Sequence, residues 1–539
     1  MLKLLRRMRR RELITAALCA LLVLGQIYFD LALPDYMTDL TTLIKTPGSL
    51  PADIAAVGGR MLLCALASAV LAITAGFLAA RTAAGFSFAI REELFHHVMT
   101  LGSAEMQEFS VPSLITRTTN DITQIQMVIA MGLQMVIKAP VMAVWAVAKI
   151  LGKSWELSAV TAAVVVVLCV TILCVLRVCL PRFRIVQKLT DQINRVAREN
   201  LTGINVVHAF NAEDYQNEKF DGYSRDMMNT QMKNQKLFSL IQPVLGLGMN
   251  GLSLAVYWVG AALVQRTADA AGRLAMFTNV VVFSTYAMYV VMSFMMLVMI
   301  FMLAPAAQVS AERIGRVLQT QPSVTPGQVQ DAPEAGTVEF RDVSFRYPGA
   351  QEDALSHISF RVGKGQTLAI IGATGSGKST LIGLIPRFYD VTGGQVLVDG
   401  RDVREFTFDA LYDRLGYVTQ RATLFSGTVQ SNVFFGSGCA PETDETLQKA
   451  LDLSQAAEFV NSYPEGAQHR IAQLGRNVSG GQKQRLAIAR ALARGAEILV
   501  FDDSFSALDY RTDAKLRAGL AAQMAGVTKV IVAQRISTI

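Results

Sequence analysis

At 539 residues the chain has room for two to four ordinary domains, but a hydrophobic share of 52% with a mean hydropathy of +0.35 is too apolar for a soluble protein of this size. A formal charge of +7 and a pI near 9.0 could serve nucleic acid, yet the positive residues cluster beside apolar runs, so the basicity is read as membrane topology and no nucleic-acid partner is expected. Cys19, Cys64, Cys169, Cys174, Cys179 and Cys439 form no C-x-x-C pair and have no histidine at zinc-ligand spacing, which leaves them as small apolar residues.

The chain opens with Lys3, Arg6, Arg7, Arg9, Arg10 and Arg11 before an apolar run that continues past Gly25 without a small-x-small cleavage site. This predicts a retained first membrane helix rather than a signal peptide. Runs of about 20 apolar residues, enough to cross a bilayer, occur near Leu13 to Leu33, Met61 to Ala80, Met127 to Ala148, Leu157 to Leu180, Leu240 to Val264 and Phe277 to Leu303. The basic start places the N-terminus inside, so the long basic loops after the second and fourth spans are cytoplasmic. These loops, Arg81 to about Gln126 and Pro181 to about Leu237, have helical spacing of apolar residues, with breaks near Phe109 to Pro112 and Ala209 to Asp214. They read as membrane helices extended into the cytosol, each pair turning at a small tip that could touch a cytoplasmic domain.

Within the spans, Gln26 and Asp30 lie four apart on one helical face; Asp30 reads either as a functional ionisable group at membrane depth or as a residue of the outer interface before Pro34 and Asp35. Met288, Met292, Met295, Met296, Met299 and Met302 give the sixth span a soft surface, suited equally to varied apolar ligands and to core or lipid packing. Pro305 is expected to end the membrane part, with Ser310 to Val317 continuing as a charged helix. The domains predicted are a membrane domain over 1–318, a linker over 319–335 rich in Pro and Gly, and a soluble α/β domain over 336–539.

That last domain is organised around Gly372-Ala373-Thr374-Gly375-Ser376-Gly377-Lys378-Ser379-Thr380, which follows an apolar strand and opens a helix. The pattern G-x-x-x-x-G-K-[ST] turns backbone N–H groups onto phosphate oxygens, sends Lys378 to the terminal phosphates and offers the Ser379 hydroxyl to Mg²⁺, so a nucleoside triphosphate is the expected ligand. Ile498 to Asp503 is a buried-strand run ending in two carboxylates. Asp502 is the metal-side candidate and Asp503 stands where a general base would polarise the attacking water. Between them, Asn477 to Arg485 places Ser479, Gly480, Gly481 and Gln482 at a second helix start, a second anion site. The natural reading is ATP sandwiched between one chain's phosphate loop and another chain's serine-glycine turn.

Taken together, these residues resemble the ATP-binding cassette exporters that fuse membrane and nucleotide-binding domains in one polypeptide, from about residue 10 to the end. The fold implied is a six-helix transmembrane domain with long cytoplasmic extensions, followed by an α/β P-loop NTPase domain. The resemblance further implies an adenine-stacking aromatic at Tyr347, a Mg²⁺-sensing Gln420, a signature at Ser479 to Gln482, a Walker B acid at Asp502 and a D-loop Ser506-Ala507-Leu508-Asp509. The loop tips look like the family's coupling helices.

Two departures are informative. Asp503 replaces the usual glutamate base, one methylene longer, and Gln534 replaces the switch histidine before Arg535-Ile536-Ser537-Thr538. A carboxylate moved by roughly 1 Å is a poor base, and a glutamine cannot carry a proton's charge near neutral pH. Such changes, with Gly475-Arg476-Asn477 before the signature, mark one subunit of heterodimeric exporters. The signature differs from the family's Leu-Ser-Gly-Gly-Gln only at Val478 and is expected to complete a partner's site. The stop at Ile539, just after the switch, gives the expectation of a truncated product or fragment. The expected function is thus one subunit of an ATP- and Mg²⁺-dependent exporter in the cell membrane, with a slow site of its own. It pairs with a second half-transporter and moves an apolar or amphipathic solute or lipid outward. The alternative is a non-transporting, ATP-gated regulatory or channel-like membrane protein, and an importer subunit is disfavoured.

Overall fold

The computed structural model describes residues 2–45, 50–151, 154–267, 269–436 and 441–533; Cys439 and Gln534, with the rest of 534–539, lie outside them. The chain divides into two compact units, Met1–Leu94 with Thr116–Arg316, and Phe95–Ile115 with Val317–Ile539.

Among the described residues the helices come first: α1 (Leu2–Leu5), α2 (Arg10–Lys45), α3 (Pro51–Thr100), α4 (Ser103–Phe109), α5 (Val111–Thr116), α6 (Ile122–Leu151), α7 (Trp155–Thr202), α8 (Ile204–Ala209), α9 (Glu213–Arg266) and α10 (Ala270–Gln319). Six are long and apolar enough to cross a membrane, α2, α3, α6, α7, α9 and α10, and they coincide with the six runs read from the sequence. Prolines 34, 140, 181, 243 and 305 all lie inside helices. Pro305 sits within α10, which runs on to Gln319 and so carries the charged helix expected over Ser310 to Val317.

The first unit is held by a core around Ile27, Leu31, Phe283, Tyr286 and Val291, all buried. Two ion pairs join α2 to α6: the Lys138 ammonium lies 3.1 Å from Asp30, which also accepts from Ser68, and the Lys149 ammonium lies 2.6 Å from Asp35, which accepts from the Tyr286 hydroxyl at 2.7 Å. Either reading of Asp30 is served by such a partner, because a carboxylate at membrane depth costs several kcal/mol unpaired and much less at the interface. The α8 tip in this unit buries none of its residues, and neighbouring Phe210 is 79% exposed.

In the second unit the strands β1 (Val338–Phe345), β2 (Leu355–Val362), β3 (Thr367–Ile371), β4 (Gly393–Val398), β5 (Arg401–Asp402), β6 (Leu415–Val418), β7 (Gly427–Thr428), β8 (Arg470–Ile471), β9 (Ile498–Asp502) and β10 (Thr528–Ala533) alternate with α11 (Lys378–Gly383), α12 (Phe408–Asp413), α13 (Val429–Val433), α14 (Asp444–Leu453), α15 (Ala457–Asn461), α16 (Gly480–Ala493) and α17 (Tyr510–Gln523). One four-stranded sheet is antiparallel in the order β2-β1-β4-β5, a second is parallel in the order β3-β10-β9-β6, and β7 pairs antiparallel with β8 in a small third sheet. Every residue of β9 and β10 is buried, as central strands covered on both faces require. The pairing sets Val532 of β10 opposite Ile370 on one side and Asp502 on the other. That register fixes where the site can be.

Candidate functional site

Because β3 and β9 flank β10 in parallel, the loop after Ile371 and the acid at Asp502 open from the same carboxyl edge of the sheet, where ligands of such sheets bind. The loop takes two left-handed turns, Gly375 at φ 87° and Gly377 at φ 83°. A side chain at Gly377 would place its Cβ 2.9 Å from Leu355 Cδ2 and 3.1 Å from the Ala354 carbonyl, so this position accepts only glycine without a shift. Residues 372–376 are exposed. Lys378 curls over the loop and donates to the carbonyls of Gly372 at 2.8 Å and Ala373 at 2.7 Å, bonds that phosphate oxygens can replace. Thr374 and Ser376 belong to the same exposed rim.

The Ser379 hydroxyl donates to Asp502 Oδ1 at 2.8 Å. Burial pushes the Asp502 carboxyl above the ordinary aspartate range; the Ser379 bond and Lys378 oppose this, and neighbouring Asp503 adds to it. Burial, with Asp502 close by, also raises the Tyr417 phenol. Asp502 and Asp503 are only 7% and 9% exposed. Hydroxyl and carboxylate oxygens this close fit Mg²⁺, which takes one or two carboxylates together with substrate phosphates. Among the described residues no cluster of three His, Cys, Asp or Glu could hold a metal, so an ion here would depend on Ser379, Asp502 and phosphate oxygens. Asp503 has φ 47°, a left-handed value that aspartate tolerates better than longer side chains, and its carbonyl accepts from Ser506 Oγ at 2.9 Å. Gln420 is exposed two residues past the end of β6. Gln534 is outside the described residues.

The second glycine-rich turn forms a capped helix start. Ser479 Oγ accepts from the Gln482 amide at 3.3 Å, while Gln482 returns its side-chain oxygen to the Ser479 N–H at 2.9 Å. This reciprocal cap leaves the serine hydroxyl hydrogen free to donate outward. Space beside Gly480 is open, whereas a Cβ at Gly481 would meet the Ala507 carbonyl at 3.3 Å. Among the described residues no hydrogen bond joins this turn to the phosphate loop.

A third feature escaped the sequence. Tyr347 is half-buried; its ring stands edge-on to Phe345 and to Tyr389, with centroids 4.9 Å and 5.4 Å away, and its hydroxyl lies 2.8 Å from Thr380 Oγ1. Tyr389 in turn accepts from Gln107 Nε2 of α4 at 3.0 Å. A chain of contacts therefore runs from Gln107 through Tyr389 and Tyr347 to the helix that opens at Lys378. Alongside it, buried Glu105 accepts from the Gly102 and Ser323 amides at 2.8 and 3.1 Å. Burial alone would raise the Glu105 carboxyl, but these bonds hold it below the usual glutamate range. The available signal was Glu105 three residues after Gly102, the spacing of a reciprocal helix cap.

The chain matches the family model described as ABC transporter transmembrane region over residues 13–294 and the model described as ABC transporter over residues 355–506. An uncharacterized ABC transporter ATP-binding protein of Mycobacterium tuberculosis is 38% identical over 529 residues, covering 96% of this chain and 89% of that protein. An ATP-dependent lipid A-core flippase of Aromatoleum aromaticum is 32% identical over 463 residues, covering 86% and 76%. Among solved structures, a bacterial Atm1-family ABC exporter with ATP bound aligns at a TM-score of 0.77 with 23% identity, covering 98% of this chain and 92% of that one.

Proposed function

Because this chain belongs to the ABC transporters, with membrane and nucleotide-binding regions fused in one polypeptide and ATP hydrolysis coupled to transport, we propose that it is the slow-site subunit of a heterodimeric exporter for an amphipathic, lipid-like solute. The observation that carries the slow site is Asp503 in the base position: it is one methylene short, buried and held at φ 47°. The flippase relatives support the solute class.

The residues divide the work as follows. Backbone N–H groups of 372–377 and the Lys378 ammonium bind the phosphates and offset charge that grows in the transition state. Ser379 and Asp502 would hold Mg²⁺, which would supply positive charge against the phosphate oxygens. Gln420 would meet the metal and the attacking water, Tyr347 would lie beside the adenine, and Asp503 would accept the proton from water with poor reach. Gln534 hydrogen-bonds the terminal phosphate without carrying a proton's charge. The Ser479, Gly480, Gly481 and Gln482 turn closes on the nucleotide of a second half-transporter, where the base and switch are complete. That no hydrogen bond among the described residues links this turn to the chain's own loop is consistent with the shared arrangement. The N-terminus and the nucleotide-binding unit face the cytoplasm of a cell whose bounding membrane holds the six spans.

The test is movement of a labelled lipid-like solute into inverted vesicles containing the chain and its partner. ATP-dependent uptake only with both chains is expected; no uptake, with ATP still changing a conductance, would favour the gated alternative.

A further inference from the structure

At the basic end of the membrane-spanning unit lies an apolar cleft of about 460 Å³, within the range of roughly 300–1,000 Å³ of ligand pockets. Leu5 and Met8 of the N-terminal segment and Leu13 of α2 form one wall; α6 residues around Met131 form the other, and Ile300 of α10 closes the end. All of its lining side chains are Leu, Ile, Val, Met or Gly. Leu133 and Ile137 pack into the helix core and make the floor, whereas Leu13 and Val136, each 52% exposed, form an open rim. The cleft therefore faces outward from the bundle.

The wall that carries Leu5 and Met8 is fastened. Arg7 pairs with Glu93, and Arg9 pairs with Glu92 at 2.8 Å, pinning the segment to α3. Arg6, Arg10 and Arg11 on the same segment are exposed and make no ion pair among the described residues. Leu13 begins the first span and Ile300 lies near the end of the sixth, so both the cleft and the arginines sit at one face of the apolar layer. An apolar groove walled by a segment that carries unneutralised guanidinium groups matches a molecule with a hydrocarbon chain and a phosphate head.

We propose that this cleft binds one acyl chain of an anionic phospholipid from the adjoining leaflet, with Arg6, Arg10 and Arg11 on its phosphate. The proposal rests on the membrane reading above but not on transport. Binding is read by native mass spectrometry on the assembled transporter released from bilayers of zwitterionic phospholipid, with and without phosphatidylglycerol, in the absence of ATP and solute.

The native chain should retain phosphatidylglycerol preferentially. Arg6→Gln with Arg10→Gln and Arg11→Gln should lower that preference roughly a hundredfold, three basic side chains at about fivefold each. Gly132→Leu, whose added side chain enters open space, should abolish retention with the arginines intact; Leu13→Trp fills the cleft from the opposite wall should that variant not assemble. Retention indifferent to head-group charge, retention unchanged by a filled cleft, or displacement of the lipid by transported solute would each overturn the site. Failure of the membrane reading shows separately, as labelling of Arg6→Cys from the outer face of intact cells.

Discussion

Restoring the missing methylene at position 503 addresses only one of the two changes at this site. Asp503→Glu should recover part of a deficit of about 10²-fold, the cost of a base misplaced by roughly 1 Å, because Gln534 still cannot take a proton and because glutamate fits φ 47° less readily than aspartate. Full recovery of phosphate release by this single change would show that the glutamine is harmless. Asp502 predicts a pH dependence. Its carboxyl titrates above the ordinary range, so protons compete with Mg²⁺ sooner as pH falls. Mg²⁺-dependent nucleotide affinity should begin to weaken, as pH falls, at a higher pH than an ordinary aspartate of about 3.9 would set, and Asp502→Asn should remove both the metal effect and the slope. The residues of this site were legible because each chemical role demands a residue type at fixed spacing: the Gly375 and Gly377 turns, the lysine and the hydroxyl cannot be exchanged. Lys138 was not legible, since one cation inside Met127–Ala148 barely lowers the mean hydropathy of the span; only the fold shows Asp30 of α2 facing it.

At the scale of elements, α16 and α4 make opposite demands. Ser479→Ala with Gly481→Asp breaks the capped start of α16 and puts a carboxylate beside a neighbouring carbonyl, so steady-state ATPase of the assembled pair should fall about 10²- to 10³-fold. Lys378→Ala should cost less, because the site it weakens supplies occupancy more than turnover; the reverse ranking would make this chain's own site the engine. On α4, Gln107→Ala with Glu105→Gln removes the bond to Tyr389 and weakens the tie to Ser323. ATP affinity should hold within a few-fold while stimulation of ATPase by solute disappears; retained stimulation would leave the Gln107–Tyr389–Tyr347 chain a packing feature only. The acid sign for Glu105 is the opposite of that for Asp502. Its depressed carboxyl lends stability above the unfolded value of about 4.3 that is lost only as pH falls through the lower folded value. Breaks near residues 110 and 210 were readable from polar turn residues, and Ser110 and Asn211 do take positive φ there. The pairing of α4 with Tyr389 was not, because it joins side chains far apart in sequence with no periodic signal.

For the whole molecule, the chain expressed alone should bind ATP with Mg²⁺ yet release phosphate slowly, and both quantities can be measured on one sample whose size is known. Brisk turnover by a verified homodimer would remove the case for a specialised partner. Six spans were countable from hydropathy because the bilayer sets a length that composition must meet. The order of strands in the two four-stranded sheets was not countable, since β10 inserts between β3 and β9 from the far end of the domain. The second unit is also assembled from two stretches of chain, Phe95–Ile115 and everything after Val317, with the whole of Thr116–Arg316 between them. On a ribosome adding about 5–20 residues per second, the earlier stretch, with Phe109 and Leu114 that end up buried, emerges tens of seconds before the rest of its unit exists. For that interval the nascent chain presents apolar side chains that only its own later synthesis can hide, so slowed translation beyond residue 317 should make this protein a client of chaperones and proteases before it has hydrolysed a single ATP.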